Sequence, residues 1–131
     1  MEPIHHAAYD GDAAAIDRLV AEDGRRLNAQ IQGDGVRVDD EPVTGYSPLM
    51  LAAWEGHNAA VTRLLALGAD MGLTDARGYT AAHHACYGGD HSSVLALLLD
   101  AGASINASSN GGWTPLIVAA SRAHPLRGDV D

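Results

Sequence analysis

The sequence predicts an all-α repeat fold, an α-solenoid in which pairs of short helices stack in one file. A phrase of glycine followed by an aromatic residue recurs at Gly45, Gly78 and Gly112, with steps of 33 and 34 residues. A fixed step of this size is typical of stacked units that cannot bury their apolar faces alone. The 131 residues are 47% apolar, which is enough for the packed core of one domain.

Each copy begins with a short helix. Ser47-Pro48 and Thr114-Pro115 pair an N-cap hydroxyl with a proline whose fixed φ suits the first helical turn. The small residues that follow allow neighbouring helices to approach closely. Glycine readily adopts the left-handed conformation that follows the end of many helices. We therefore predict that the first helices end at Gly11, Gly56 and Gly89.

A second helix follows in copies one to three. Each has one apolar stripe at helical spacing, as in Val61, Leu64 and Leu65. Glycines again predict the ends of these helices, at Gly24, Gly68 and Gly102.

The period divides the chain into four units within a single domain. We expect repeat one at 2–30 without a leading hairpin, an extended hairpin insert at 31–44, repeat two at 45–73, repeat three at 74–107 and an incomplete repeat four at 108–131. Repeat four holds only the beginning of a second helix. We therefore expect either that the natural chain continues past Asp131 or that this end of the stack is open, and we expect a monomer unless the open end self-associates.

These copies resemble the ankyrin repeat, whose T-P-L-H-x-A pattern is matched by "WTPLIVAA", "YSPLMLAA", "YTAAHHAC" and "PIHHAA". The resemblance covers nearly the whole chain. Its departures are Ala81 in place of the proline, and Met50 and Ile117 in place of the histidine. The resemblance implies a curved stack of antiparallel helix pairs joined by β-hairpin loops. It also implies that the concave side, made by hairpin tips and first helices, binds protein partners.

The six aromatic residues fall on two repeat positions. One position directly follows the motif glycine and the other lies on the first helix, and the residues are Tyr46, Tyr79 and Trp113, then Tyr9, Trp54 and Tyr87. By the resemblance both positions lie on the concave side. Tyrosine and tryptophan dominate binding hot spots, so we predict that the rings form a binding surface for a protein or peptide partner, together with Glu55 and Arg77. Two or three of the rings, with Trp54 and Tyr87 central, are expected to anchor the partner. The alternative is that each ring is a half-exposed support for the neighbouring repeat.

The insert at 31–44 predicts a two-stranded finger. Val36, Arg37 and Val38 alternate beside a "GDG" turn. The acidic residues of the finger predict contact with a basic side of the partner, and they are Asp34, Asp39, Asp40 and Glu41. The alternative is a neutral insertion, because loops tolerate growth at little cost.

The histidines suggest structural roles. His5 and His83 match the motif histidine, which the resemblance implies ties helix to loop. The run "HHACYGGDH", with His84, Cys86 and His91, raises the question of zinc, but adjacent helical residues diverge by about 100° and one short helix cannot supply a closed tetrahedral set. We therefore expect no metal or other cofactor, and a buried, inert Cys86.

The net charge, the cysteine count and the motifs that are absent make several classes of function unexpected. A net charge of -9 repels phosphate backbones and anionic lipid, so neither nucleic acid nor a membrane surface is an expected partner. The absence of a secretory signal and the single cysteine favour the cytoplasm. No nucleophile or phosphate-binding motif occurs, so we do not predict an enzyme. The predicted function is a scaffold or adaptor; the alternative is the recognition or regulatory domain of a larger enzyme or channel.

Overall fold

The computed structural model describes residues 1–33, 35–87 and 92–123. Within these ranges the chain forms seven α-helices in two rows. The first helices are α1 (Pro3–Asp10), α3 (Pro48–Glu55), α5 (Ala81–Tyr87) and α7 (Pro115–Ala123), and the second helices are α2 (Ala13–Glu22), α4 (Asn58–Ala66) and α6 (Ser92–Asp100). None of them is long and apolar enough to cross a lipid bilayer.

The helices stack repeat upon repeat. Along the first row α1 packs on α3, α3 on α5 and α5 on α7, while along the second row α2 packs on α4 and α4 on α6. The core lies between the rows, where Ile4, Leu49, Leu64 and Leu98 are fully buried. The all-α repeat fold predicted from the 33-residue step is therefore confirmed.

Glycine caps end the first helices as predicted. Gly11 and Gly56 adopt left-handed conformations, with φ of 76° and 74°, directly after α1 and α3. A side chain at either position would be strained, because only glycine adopts this conformation freely. The third predicted cap, Gly89, lies outside the described residues.

The end of α2 differs from the prediction. This helix ends at Glu22, and Gly24 begins a short 3-10 helix, Gly24–Asn28, instead of forming a left-handed cap. The physical reason is the Asp23 side chain, whose Oδ1 accepts a hydrogen bond from the Arg25 backbone N–H at 3.0 Å and so starts a new turn. The predicted end at Gly24 thus lies two residues beyond the observed one, and Gly68 and Gly102 adopt positive φ after α4 and α6.

Three hairpin loops join the repeats, and all three are closed in the same way. In each loop, the N–H of the first residue donates to the carbonyl of the aromatic residue. The carbonyl of that first residue accepts the N–H of the motif glycine. The donations span 2.8 to 2.9 Å and run from Ile31 to Tyr46, from Asp75 to Tyr79 and from Ser109 to Trp113. The finger is thus an enlargement inside an ordinary hairpin, because it leaves the stack at Ile31 and returns at Gly45.

The finger has two short antiparallel strands, β1 (Arg37–Val38) and β2 (Glu41–Pro42). The turn between them is Asp39-Asp40, with φ of 51° and 66°. The prediction that the strands turn at "GDG" is wrong. A two-residue hairpin turn of type I′ has positive φ at both central residues, and aspartate tolerates that conformation.

Candidate functional site

Three aromatic residues lie at one position on successive first helices. Tyr9, Trp54 and Tyr87 occupy the last turns of α1, α3 and α5, and each is half-buried. Because these helices pack side by side in order, the repeat places the three residues in sequence along one row of the stack.

The three hairpin aromatics differ from one another. Tyr46 is only 2% exposed, with its ring centroid 4.4 Å from that of His84 and 6.0 Å from that of Trp54. Tyr79 is half-buried, and Trp113 is 40% exposed. The prediction that all six rings offer a binding surface is therefore wrong for Tyr46, because the helix of the next repeat covers it.

Arg77 joins two of these rings. Its guanidinium donates to the Tyr46 hydroxyl at 3.2 Å and lies 5.4 Å from the centroid of the Tyr79 ring, a cation-π distance. Burial raises the pKa of Tyr46 to about 12 even though Arg77 opposes the shift. Arg77 itself is exposed, so it presents a positive charge between the hairpins of repeats two and three.

A buried polar pair lies beneath this cluster. The His84 Nε2 is 2.9 Å from Asp75 Oδ2, and both side chains are almost fully buried. The other carboxylate oxygen, Oδ1, accepts the backbone N–H groups of Arg77 and Tyr79 at 2.8 and 3.0 Å. Burial alone would raise the pKa of Asp75, but the bond from His84 and these N–H groups hold it below its ordinary value.

Sequence reasoning missed this pair. From the sequence, His84 is considered only as a possible zinc ligand, whereas the structure buries its side chain. The signal lay in the repeat register, because His84 occupies the position of Leu51 and Val118, which are both buried and apolar. A polar residue at a core position needs a buried hydrogen-bonding partner, and Asp75 is the acidic residue of the hairpin in the same repeat.

The finger folds back onto repeat one. The Tyr9 hydroxyl donates to Asp39 Oδ2 at 2.6 Å, joining the turn of the finger to α1. This bond raises the pKa of Tyr9 to about 12, and the negative charges of Glu55, Asp39 and Asp10 act in the same direction. Carboxylates therefore surround the outer end of Tyr9. Asp34, also assigned to the acidic finger, lies outside the described residues.

The motif histidines have the structural role predicted for them. The Nε2 atoms of His5 and His83 each lie 2.7 Å from a carbonyl of the following loop, that of Ala29 and that of Trp113. Their Nδ1 atoms accept backbone N–H groups at the start of their own helices. Burial lowers the pKa of both histidines, so both are neutral near pH 7.

No metal centre is assembled in the part of the chain that the structure describes. There, no three His, Cys, Asp or Glu side chains converge as a metal site, and His91 lies outside it. Cys86 is buried as predicted, and its burial raises the pKa of the thiol. A thiol with a raised pKa is a poor nucleophile.

Comparison with known proteins gives a family match over most of the chain. A family model described as "Ankyrin repeats (3 copies)" matches residues 1–75 and 49–126. Three relatives illustrate the range of proteins that contain similar segments.

The human "Transient receptor potential cation channel subfamily A member 1" is 38% identical over 100 residues, which is 75% of this chain and 8% of that protein. The "Tyrosine-protein kinase HTK16" of Hydra vulgaris is 36% identical over 65% of this chain and 11% of its own length. The "Ankyrin repeat protein nuc-2" of Neurospora crassa is 28% identical over 93% of this chain and 14% of its own. The chain thus spans only a small part of the length of the curated relatives it matches.

Proposed function

This chain belongs to the ankyrin repeat family, and from that membership we propose that it is a scaffold or adaptor that binds a protein or peptide partner through an aromatic face. The aromatic face consists of Tyr9, Trp54, Tyr79, Tyr87 and Trp113. Ankyrin repeats generally mediate protein-protein interaction and are not catalytic. The observation that carries the proposal is the placement of accessible or half-buried rings at two repeat positions, on adjacent helices and hairpins.

Aromatic side chains suit such a face. Tyrosine and tryptophan provide a large contact area with few rotatable bonds, and each buried hot spot contributes about 2 kcal/mol or more. Two or three such contacts would supply much of the roughly 8 kcal/mol that corresponds to micromolar binding. Tyr46 does not contact the partner in this proposal; it supports Trp54 from below, at a centroid distance of 6.0 Å.

The charges near the two ends of the aromatic face have opposite signs. Asp39 and Glu55 lie around Tyr9 at the repeat-one end, whereas Arg77 lies over Tyr79 further along. A partner segment that carries a basic residue near Tyr9 and an acidic residue near Arg77 would match both ends. The acidic side of the face would act chiefly on the rate and specificity of binding, since exposed charges contribute little affinity.

The experiment that tests the aromatic face is a comparison of three proteins. Partners captured by the intact chain are identified and purified, and their affinities for the intact chain, for Trp54→Ala/Tyr87→Ala and for the control Leu67→Ala are measured by calorimetry. Leu67 is an exposed leucine at the end of α4, outside the aromatic face. We expect about 1,000-fold weaker binding by the double variant, which loses two contacts of about 2 kcal/mol each, and unchanged binding by the control. Unchanged affinity of a double variant that still unfolds cooperatively would refute the proposal.

The finger is tested by removing charge without removing the backbone. A deletion of residues 31–41 would not test the finger alone, because it would also remove Ile31. That residue is buried in the core and closes the hairpin with Tyr46. The variant Asp40→Asn/Glu41→Gln removes two charges and leaves Asp39, which accepts the bond from Tyr9, unchanged. If the partner's basic side meets the finger, binding by this variant weakens and loses part of its dependence on salt. An unchanged salt dependence would mean that the finger is a neutral insertion.

A second candidate is a recognition or regulatory domain within a larger enzyme or channel. The relatives favour it, since a channel and a kinase each contain a similar segment in a small part of their length. Sequencing the full transcript decides between the two candidates. An open reading frame that encodes a catalytic or membrane domain would support the second. In either case we propose a cytoplasmic location, which imaging of a tagged chain would test.

A further inference from the structure

The hairpin of repeat four contains the single Asn-Gly step of the sequence. Asn110 and Gly111 lie at the tip of this hairpin, and both are exposed. The other three asparagines each precede alanine, and they are Asn28, Asn58 and Asn106. Asparagine is chemically labile, and glycine has no side chain that would shield its backbone nitrogen from a neighbouring group. Asn110 is therefore the asparagine whose side chain the next backbone nitrogen can approach most easily.

The Gly111 nitrogen is available for such an approach. In the matching hairpin of repeat three, the N–H of Arg77 donates to Asp75 Oδ1 at 2.8 Å. Ser109 takes the place of Asp75 in repeat four, and its single side-chain oxygen accepts the Trp113 N–H at 3.1 Å. Among the residues that the structure describes, none accepts a hydrogen bond from the Gly111 N–H. The serine thus leaves this nitrogen without the bond that its counterpart in repeat three makes.

The Asn110 side chain is held only weakly. Its Nδ2 donates to the Ala76 carbonyl at 3.3 Å, which is beyond the usual range for such bonds. The Asn110 backbone is fixed more firmly, because its N–H donates to the Arg77 carbonyl at 2.9 Å. The hairpin therefore keeps Asn110 exposed at its tip while allowing the amide group to turn toward Gly111.

We propose that Asn110 is a deamidation site, and that its products loosen the contact between the hairpins of repeats three and four. The Gly111 nitrogen loses its proton to water and attacks Cγ, the carbonyl carbon of the Asn110 side chain. A bond forms between this nitrogen and Cγ, the bond between Cγ and Nδ2 breaks, and Nδ2 takes up a proton and leaves as ammonia. Water then opens the resulting succinimide ring at either carbonyl, which gives aspartate or isoaspartate. Water is the only co-reactant, and no oxidation or reduction takes place.

Both products place a carboxylate against the preceding hairpin. The donor to the Ala76 carbonyl is lost and a charged oxygen replaces it, so two acceptors face each other. Isoaspartate also adds a methylene to the main chain, inside the turn in which the Gly112 N–H donates to Ser109 O at 2.9 Å. The two hairpins should therefore be held together less firmly after the modification.

The test is incubation of the folded 131-residue chain in mildly alkaline buffer, followed by digestion and mass spectrometry, in which fragment ions distinguish the sites. Amide-to-acid conversion at Asn110 should be about 10-fold faster or more than at Asn58 and Asn106, because only Asn110 precedes glycine. An isoaspartyl methyltransferase should label the peptide that contains Asn110. Mildly acidic buffer should slow the conversion, since the attacking nitrogen must lose its proton.

The matched control is Gly111→Ala. The φ of Gly111 lies outside the left-handed region, and a Cβ there would meet only the Trp113 side chain, at 3.2 Å, so the hairpin should accept alanine. Conversion at Asn110 should be about 10-fold slower in this variant, because the added methyl group shields the nitrogen. Equal rates in the two proteins would overturn the proposal. So would a chain that is modified at Asn110 only after unfolding in urea, because the folded hairpin would then protect the site.

The loosening of the hairpin contact is tested with Asn110→Asp, which reproduces one product. This variant should lower the melting temperature by about 3 °C or more, whereas Asn106→Asp, which adds the same charge at another exposed asparagine, should not. Equal melting temperatures of the two variants would overturn the second half of the proposal. The aromatic-face variant Trp54→Ala/Tyr87→Ala should deamidate at the same rate as the unsubstituted chain, so this proposal and that of the aromatic face fail independently.

Discussion

Asp75 and His84 form a buried hydrogen-bonded pair, with 2.9 Å between Oδ2 and Nε2, at two positions where the neighbouring repeat is apolar. The hairpin and first helix that precede them in the stack have Ile31 and Leu51 at these positions, both buried. The stacking of repeats therefore does not require the pair. If one member of the pair is present, however, the other must be present too, because burying a polar group without its hydrogen-bonding partner lowers the stability of the fold.

The first prediction is a double-mutant cycle on this pair. His84→Leu should destabilise the chain by about 3 to 5 kcal/mol, because it leaves the Asp75 carboxylate buried without the imidazole. Asp75→Ser/His84→Leu, which uses residue types found at these positions in repeats four and two, should recover most of that loss. Chemical denaturation of the unsubstituted chain, of each single variant, Asp75→Ser and His84→Leu, and of the double variant measures the free energies of unfolding. Losses that simply add would mean that the pair is not coupled.

The second prediction concerns acid. Burial lowers the pKa of His5 and His83 in the folded chain, so the unfolded chain, with histidine pKa values near 6.5, binds more protons. The free energy of unfolding should therefore fall as the pH is lowered through 6.5 toward the folded pKa values. Asp75, whose folded pKa is also lowered, should add a loss only below its ordinary value of 3.8.

Unfolding in urea at about pH 7.5 and about pH 5.5, on either side of the ordinary histidine pKa, measures the effect of acid. The control is His83→Met, because Met50 occupies the same position in repeat two, where its sulfur accepts the Ser47 N–H at 3.4 Å. This variant should lose part of the pH dependence. An equal pH dependence in both proteins would contradict the assignment to His83.

The third prediction compares two glycines with the same conformation. Gly78 and Gly112 have φ of 83° and 82°, but a Cβ at Gly78 would lie 2.8 Å from the Asn110 backbone nitrogen, whereas a Cβ at Gly112 would meet nothing within 4 Å. Alanine at Gly112 should cost about 1 kcal/mol from backbone strain alone. Alanine at Gly78 should cost clearly more, since neighbouring hairpins must also separate. Melting temperatures of the two variants, compared with the unsubstituted chain, provide the measurement, and equal shifts would contradict the close approach.

The fourth prediction concerns the attachment of the finger. Tyr9→Phe removes the 2.6 Å bond to Asp39 while keeping the ring. The Val43 amide, which donates to Val36 O at 3.1 Å, should then exchange with solvent several-fold faster, since a hydrogen bond to a charged acceptor contributes about 1 kcal/mol or more. Tyr79→Phe is the control and should leave this exchange unchanged. Identical exchange in both variants would mean that the finger holds its position without Tyr9.

The sequence was sufficient for the features that repeat. The helices and their order could be predicted from signals that act within one repeat. These signals are the 33-residue step, the proline or hydroxyl at the helix starts, and the caps Gly11 and Gly56. The histidine bonds to Ala29 and Trp113 also followed, from the family resemblance.

Three features that belong to one repeat alone were not predicted correctly, although the two-stranded finger itself was. The burial of Tyr46 depends on the helix of the next repeat, and the turn at Asp39-Asp40 depends on which residues tolerate positive φ in an insert with no second copy to compare. The Asp75–His84 pair joins residues nine positions apart across a hairpin and a helix. The burial of Tyr46 and the Asp75–His84 pair are decided by tertiary contact, which a local pattern does not record.

The closure of the finger has a consequence for how such a chain can change. Thirteen residues separate Ile31 from Gly45, while two separate Asp75 from Gly78, yet the same pair of hydrogen bonds closes both loops. The added length raises the entropic cost of closure by only about 2 kcal/mol. The hairpin tip therefore tolerates inserted segments of different lengths, because the stacked helices beneath it need not change. New binding specificities can be acquired by insertion at this one position.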